Sequence, residues 1–223
     1  MKDHPMKVLI AGVGRLGAQV AHVLSAAGSE LTVVDQDEER LAEVAAHLDA
    51  RALPGDACEP SILEEAGAHV ADLLIAATGD DEDNLVISLL AKRQFAVPRV
   101  VARVNDPDNA WLFDERWGVD VSVPSAVPLV SLIEEATGAT DTVALLRLAR
   151  AGVTVIETAI ADTSRAAGHR LAEIDLPSGS IVATVVRRGR PTVPDADLRL
   201  EPGDELLVVS AQATEQDVHA AFQ

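Results

Sequence analysis

The sequence predicts an α/β chain: a doubly wound parallel sheet, a crossover helix, then a small α+β domain. Three observations carry that reading. Apolar, β-branched runs alternate with helical patterns through the first half, as in a parallel sheet covered on both faces. A glycine-rich loop, "IAGVGRLGAQV", stands between the first such run and the first helical pattern. Near residue 125 the alternation gives way to strand-like segments separated by Gly/Pro turns.

Six runs read as parallel strands: "MKVLIAG" (Met6–Gly12), "LTVVD" (Leu31–Asp35), "ARALP" (Ala50–Pro54), "LLIAAT" (Leu73–Thr78), "RVVARV" (Arg99–Val104) and "VDVSV" (Val119–Val123). Helices fall between them. Leu16, Val20, Val23 and Leu24 recur at i, i+4, i+7 and i+8, and Leu41, Val44, Ala45 and Leu48 at i, i+3, i+4 and i+7. "SAVPLVSLIEEATGA" (Ser125–Ala139) reads as a helix interrupted early by Pro128 and ended at Gly138. Beyond it "TVALLRLA", "VTVIETAI", "SIVATVVRRG" and "DELLVVS" read as strands, with Arg165–Ile174 a candidate short helix and Glu215–Phe222 a candidate closing helix. The expected boundaries are 1–124, 125–139 and 140–223.

Charge and composition exclude several functions. With 36 acidic against 18 basic side chains, the formal charge of −18 repels nucleic acid and anionic lipid. Aromatic residues make up only 2 %, too few for a base-stacking platform. No apolar run reaches the roughly 18–20 residues that span a bilayer, and "MKDHP" reads as a loose leader. A single cysteine, Cys58, cannot form an internal disulfide and fits a reducing, cytoplasmic compartment; it reads as a packed thiol. The acidic runs "DQDEE" (Asp35–Glu39) and "GDDED" (Gly79–Asp83) read as solvated helix starts rather than metal cages.

Gly12, Gly14 and Gly17 match G-x-G-x-x-G between a strand and a helix. The first glycine allows a tight turn, the second lets a phosphate approach the backbone, and the third lets the helix pack on the strand. Asp35 ends the second strand, where a carboxylate accepts hydrogen bonds from both ribose hydroxyls. The following "QDEE" brings no arginine for a 2′-phosphate, so NADP is disfavoured. Asp56 follows the third strand, Ala77, Thr78 and Gly79 the fourth, and Arg103 ends the fifth. With the adjoining Val13, Leu16, Gln36 and Ala57, these make up the candidate ligand contacts. Arg15, inside the glycine motif, is placed to meet a terminal phosphate and sets ADP or ATP beside NAD(H) as the ligand.

What a dehydrogenase also needs is missing. None of the six histidines stands at a strand end, there is no Cys/His metal spacing, and no nucleophile elbow or P-loop occurs.

"VLIAGVGRLGAQVAHVL", "LTVVDQDEERL", "GDACEPSILEEAG", "DLLIAATGDDEDNLVISLLAK" and "VVARVNDPDNAWLF" resemble the Rossmann-like N-terminal domain of the regulators of potassium conductance. "GHRLAEIDLPSGSIVATVVRRGRPTVPDADLRLEPGDELLVV" is similar to that family's C-terminal domain. The resemblance covers nearly all of residues 6–212 and points to the cytosolic subunits of Trk/Ktr-type potassium uptake systems. It implies a dimer built through the crossover helix and dimers assembled into a tetrameric or octameric ring. The ring would sit at the inner face of the plasma membrane, beneath a potassium-conducting subunit. It carries ligand roles onto Gly12, Gly14, Arg15, Asp35, Asp56, Thr78 and Arg103. Members of the family often place a glutamate after the sixth strand that assists a divalent cation; Ser125 stands there in this sequence, which counts against a Mg²⁺- or Ca²⁺-assisted ATP mode. Two classes of function therefore face each other: a ligand-sensing gating subunit, and a small NAD-dependent oxidoreductase with an unrecognised catalytic site.

Overall fold

The structure, a computed structural model, describes residues 4–138, 140–148 and 151–223. Two compact units divide at residues 126 and 127.

The first unit carries β1 (Lys7–Ala11), α1 (Arg15–Ala26), β2 (Glu30–Asp35), α2 (Glu38–His47), β3 (Ala50–Pro54), α3 (Pro60–Glu65), β4 (Leu73–Ala76), α4 (Asp81–Arg93), β5 (Arg99–Val104) and β6 (Val121–Pro124). All six strands pair in parallel in the order β3-β2-β1-β4-β5-β6. Burial on both faces explains the continuous apolar runs. Along β1, Val8 and Ile10 pack with Ala21, Leu41 and Val44 of α1 and α2. Leu9 and Ala11 turn the other way, onto Leu63, Leu85, Ile87 and Ala91 of α3 and α4. This is the doubly wound sheet the sequence predicts.

The second unit begins with α5 (Val127–Thr137), followed by β7 (Thr142–Leu148), β8 (Val153–Ala159), β9 (Ser180–Arg187), β10 (Arg190–Thr192), β11 (Asp204–Ser210) and α6 (Glu215–Phe222). Its sheet is antiparallel, in the order β10-β9-β11-β8-β7. One face, through Ile156, Val185, Leu206 and Val208, buries Val218, Ala221 and Phe222 of α6. Thr214 caps α6 by accepting from the Asp217 N–H while the Asp217 carboxylate returns to the Thr214 N–H.

Three local expectations are corrected. Pro128 does not interrupt α5: it occupies the first turn, where no intrahelical N–H is needed. Ala139, at the expected end of this helix, and Ala149, at the end of "TVALLRLA", lie outside the described residues. Arg165–Ile174 forms turns and a single 3₁₀ turn at Leu171–Glu173. Its backbone donors go sideways instead, from Gly168 to the Leu200 carbonyl and from Leu171 to that of Leu198. The strand β10 was not foreseen; Arg188 and Gly189, both with positive φ, join it to β9 in a two-residue hairpin.

Candidate functional site

Parallel pairing sets Ala11 beside Val34 and Ala76, so the loops after β1, β2 and β4 open at one edge of the sheet, where the strand order reverses. Ligands bind at such reversals in open α/β sheets. The cleft there has a volume of about 260 Å³ and is lined by Gly12, Gly14, Asp35, Gln36, Asp56, Ala57, Ala77, Thr78, Gly79 and Arg103, together with Arg40, Asp80 and Asp83. An adjoining cavity of about 490 Å³ is lined by Arg15, Leu16, Gln19, Arg103, Val123, Pro124 and Ser125. Arg103 borders both. Another cavity of about 560 Å³ opens at the opposite edge, beside Lys7, Glu30 and Asp49, away from the glycine loop.

The three glycines are required for different reasons. A Cβ on Gly12 would fall 2.8 Å from the Ala77 carbonyl carbon and the Thr78 nitrogen, and the residue sits at φ +92°. A Cβ on Gly17 would fall 1.9 Å from the Gly12 carbonyl oxygen, so α1 packs against the loop only without a side chain. Gly14 meets nothing within 4 Å: its side-chain direction is open space in front of α1. A helix N-terminus offers free N–H groups and a positive dipole end, and α1 starts at Arg15 with no side chain capping it.

Asp35 holds two backbone groups of its own chain. Its Oδ2 accepts from the Val13 N–H at 2.7 Å and its Oδ1 from the Asp37 N–H at 2.9 Å. The carboxylate thus fixes the glycine loop and the start of α2 together, and each oxygen keeps a further acceptor site. Val13 has its side chain in the core at 3 % exposure and its N–H spent on Asp35, so it is a positioning element and not a contact. Asp56 accepts from the Cys58 N–H at 2.8 Å. Cys58 itself packs against the core; burial, then the charges of Asp83 and Asp56, push its thiol up to about 12.

The structure also corrects the expectation that no arginine reaches the ribose end. Arg40, in the first turn of α2, lines the cleft and pairs with Asp37 at 3.1 Å. "GDDED" is a helix start, yet Asp81 is not solvated: it is 5 % exposed. Burial raises its pKa, and the N–H groups of Asn105 and Asp106 with the side-chain amides of Asn109 and Asn105 outweigh that, holding it below the usual carboxylate value.

Asn84 escaped the sequence reading. Fully buried on α4, it accepts from the Thr78 N–H at 2.9 Å and the Thr78 hydroxyl at 2.8 Å, and donates to the Arg103 carbonyl at 3.1 Å. It ties the ends of β4 and β5 behind the cleft. Arg103 keeps a buried Nε with no hydrogen-bond partner. An open Gly14, a helix N-terminus and an unpartnered guanidinium N–H suit the phosphates of a nucleotide, with Asp35 placed for its ribose. Among the described residues, no group of three or more His, Cys, Asp or Glu side chains is placed to hold a metal ion.

A glycine-loop Rossmann-like domain followed by a small antiparallel sheet domain defines the class of this protein. Residues 8–124 match the TrkA-N domain and residues 155–223 the TrkA-C domain. The chain belongs to the TrkA family. It is 42 % identical to the Trk system potassium uptake protein TrkA of Mycobacterium tuberculosis (strain ATCC 25618 / H37Rv), over 96 % of both chains. It is 31 % identical to a TrkA homolog of Archaeoglobus fulgidus, over 92 % of this chain and 47 % of that one. Among solved structures, the GsuK channel bound to NAD shares the fold at a TM-score of 0.59 and 18 % identity, covering 99 % of this chain and 40 % of that one. The Kef CTD of Shewanella denitrificans in its AMP-bound form reaches a TM-score of 0.51 at 30 % identity, covering 60 % of this chain and 80 % of that one.

Proposed function

We propose that this chain is the cytoplasmic, non-catalytic gating subunit of a potassium uptake system, and that an adenine nucleotide in the cleft sets its state. One observation carries the ligand assignment: Asp35, open Gly14 and the free Arg103 Nε surround one cleft at the strand-order reversal. The AMP of the Kef relative is the minimal ligand of that shape, a ribose and a phosphate on adenine. Gly14 and Gly79 would hold phosphate oxygens by their backbone N–H groups, and the Thr78 hydroxyl would do so by exchanging Asn84 for phosphate. Gly12, whose N–H goes to the Val34 carbonyl at 2.8 Å, would only let the phosphate approach, and Asp56 and Gln36 border the ribose and base end. The adjoining cavity gives a longer ligand room, with Arg15 in its lining. That favours ADP, ATP or NAD(H) over AMP. Ser125 supplies a hydroxyl there and no carboxylate, so a divalent cation is not part of the proposal.

The oxidoreductase alternative finds no support in the cavities, because neither is lined by His, Lys or Tyr to move a proton. Among the described residues no helix is long and apolar enough to cross a membrane, and a separate membrane subunit would provide the pore. Pairing would use α5, whose Leu129, Val130, Leu132 and Ile133 are each at least half exposed. Such a stripe fits a symmetric homodimer, the unit of a tetrameric or octameric ring.

Calorimetric titration with ATP, ADP, NAD⁺, NADH and AMP tests the ligand, and potassium flux in vesicles holding the membrane partner tests gating. Arg15→Ala is expected to weaken ATP and ADP more than NAD⁺ or AMP; equal losses would reduce Arg15 to a general electrostatic role. Flux indifferent to cleft substitutions would refute gating, and steady turnover of a nucleotide, abolished by a cleft substitution, would revive the enzyme.

A further inference from the structure

Behind the cleft lies a polar network that ligand contact alone does not need. Asp81 Oδ1 accepts from the Asn105 N–H at 2.6 Å and from Asn105 Nδ2 at 3.1 Å. Its Oδ2 accepts from the Asp106 N–H at 3.0 Å and from Asn109 Nδ2 at 2.9 Å. Asn105 Nδ2 also donates to the Thr78 carbonyl at 3.3 Å, so both hydrogens of one amide are spent on different elements. On its other side the Asn105 carbonyl accepts from the Ser125 hydroxyl at 3.5 Å, next to the Ser125 N–H bond to the Val104 carbonyl at 2.9 Å. Asn105 lines neither cavity, whereas Thr78 lines the cleft and Ser125 the adjoining one.

We propose that Asn105 is a positioning residue that couples occupancy of the cleft at Thr78 to the backbone at Ser125, two residues ahead of α5. The inference rests on the cleft reading above and deepens it. A ligand phosphate that draws on the Thr78 N–H or hydroxyl competes with Asn84 and shifts the Thr78 peptide, whose carbonyl Asn105 holds. The Asn105 side-chain amide and its backbone N–H both donate to the same oxygen of buried Asp81, so a shift of the amide is passed to the Asn105 backbone and to its carbonyl facing Ser125. Coupling of this kind travels through contiguous hydrogen bonds with two arrangements. The buried and fully satisfied Asp81 provides the fixed point about which the two differ.

Hydrogen exchange read by mass spectrometry on the whole chain, with ADP, ATP and NAD⁺ each at saturation, tests this. In the wild type, nucleotide is expected to slow exchange over residues 12–17 and 77–79 and to change it over 124–126 by at least about threefold. Asn105→Ala is expected to keep nucleotide affinity within about threefold and to keep the cleft protection. It should lose the response at 124–126. Ser125→Ala, which leaves Asn105 and Asp81 together, should lose the same response from the other end. A response at 124–126 that survives Asn105→Ala overturns the proposal, as does a wild type protected in the cleft but unchanged at 124–126. Absence of cleft protection with every nucleotide is a different result: it removes the cleft assignment itself, and the coupling with it.

Discussion

Replacing Asp35 by alanine separates the two tasks of its carboxylate. In the free protein the side chain holds the Val13 N–H at 2.7 Å and the Asp37 N–H at 2.9 Å. Leaving a buried donor such as the Val13 N–H without an acceptor costs about 1–3 kcal/mol of stability. Under the proposed ribose assignment, the same substitution is also expected to remove hydrogen bonds from the ribose to a charged acceptor, about 1.5–3 kcal/mol, or roughly 12- to 160-fold in affinity. The two losses are distinguished by ligand choice. Pyrophosphate has no ribose, so Asp35→Ala should weaken its binding far less than that of ADP, whereas a collapsed glycine loop would weaken both equally. Calorimetry with ADP and pyrophosphate, alongside a thermal melt, measures each part. An unchanged ADP affinity would refute the ribose assignment, and equal losses for the two ligands would make Asp35 a loop brace alone.

Further outcomes follow from the geometry. Gly14→Ala should melt like the wild type and lose nucleotide, because its Cβ enters open space, whereas Gly17→Ala should destabilise by more than the about 1–3 kcal/mol of ordinary overpacking, its Cβ meeting a backbone oxygen; equal melting temperatures for the two would contradict this. Cys58, its thiol pushed up to about 12, should resist a thiol-specific reagent at pH 8, where about one part in 10⁴ is thiolate, until the chain is unfolded. Asp204 is fully buried; burial raises its pKa, but the Arg187 guanidinium and the Glu201 N–H outweigh that and hold it below its usual 3.8. Its stabilisation is therefore present above pH 3.8 and lost as pH falls through the lowered value. Asp204→Asn should cost about 3 kcal/mol at pH 7 and progressively less below pH 3.8, followed by circular dichroism; a deficit independent of pH would sink the ion-pair account.

The parts of the cleft that the sequence displays are those fixed by short-range pattern. Gly12, Gly14 and Gly17 lie within six residues, and the parallel register that sets Ala11 beside Val34 makes the position of Asp35 predictable from strand ends alone. Asn84, Asp81 and Asn105 act only because α4 folds back between the ends of β4 and β5, and no local period announces which polar residue of a helix start will be buried. Hence "GDDED" looked solvated although Asp81 is among its members. Arg40 stands directly after "QDEE", and only the start of α2 at Glu38 turns its side chain towards the cleft. In the second unit, β10 is three residues long and contains Pro191, which suits only an edge strand and dilutes any strand signal.

The apolar stripe of α5 has a colloidal consequence. Association through the exposed Leu129, Val130, Leu132 and Ile133 works against the like charge that every copy carries, −18 in all. That repulsion reaches about 30 Å at 0.01 M salt and only about 8 Å at physiological ionic strength. With the charge screened, the hydrophobic gain of burying the stripes against each other meets little long-range opposition. Ionic strength therefore acts directly on how readily two copies of this surface meet.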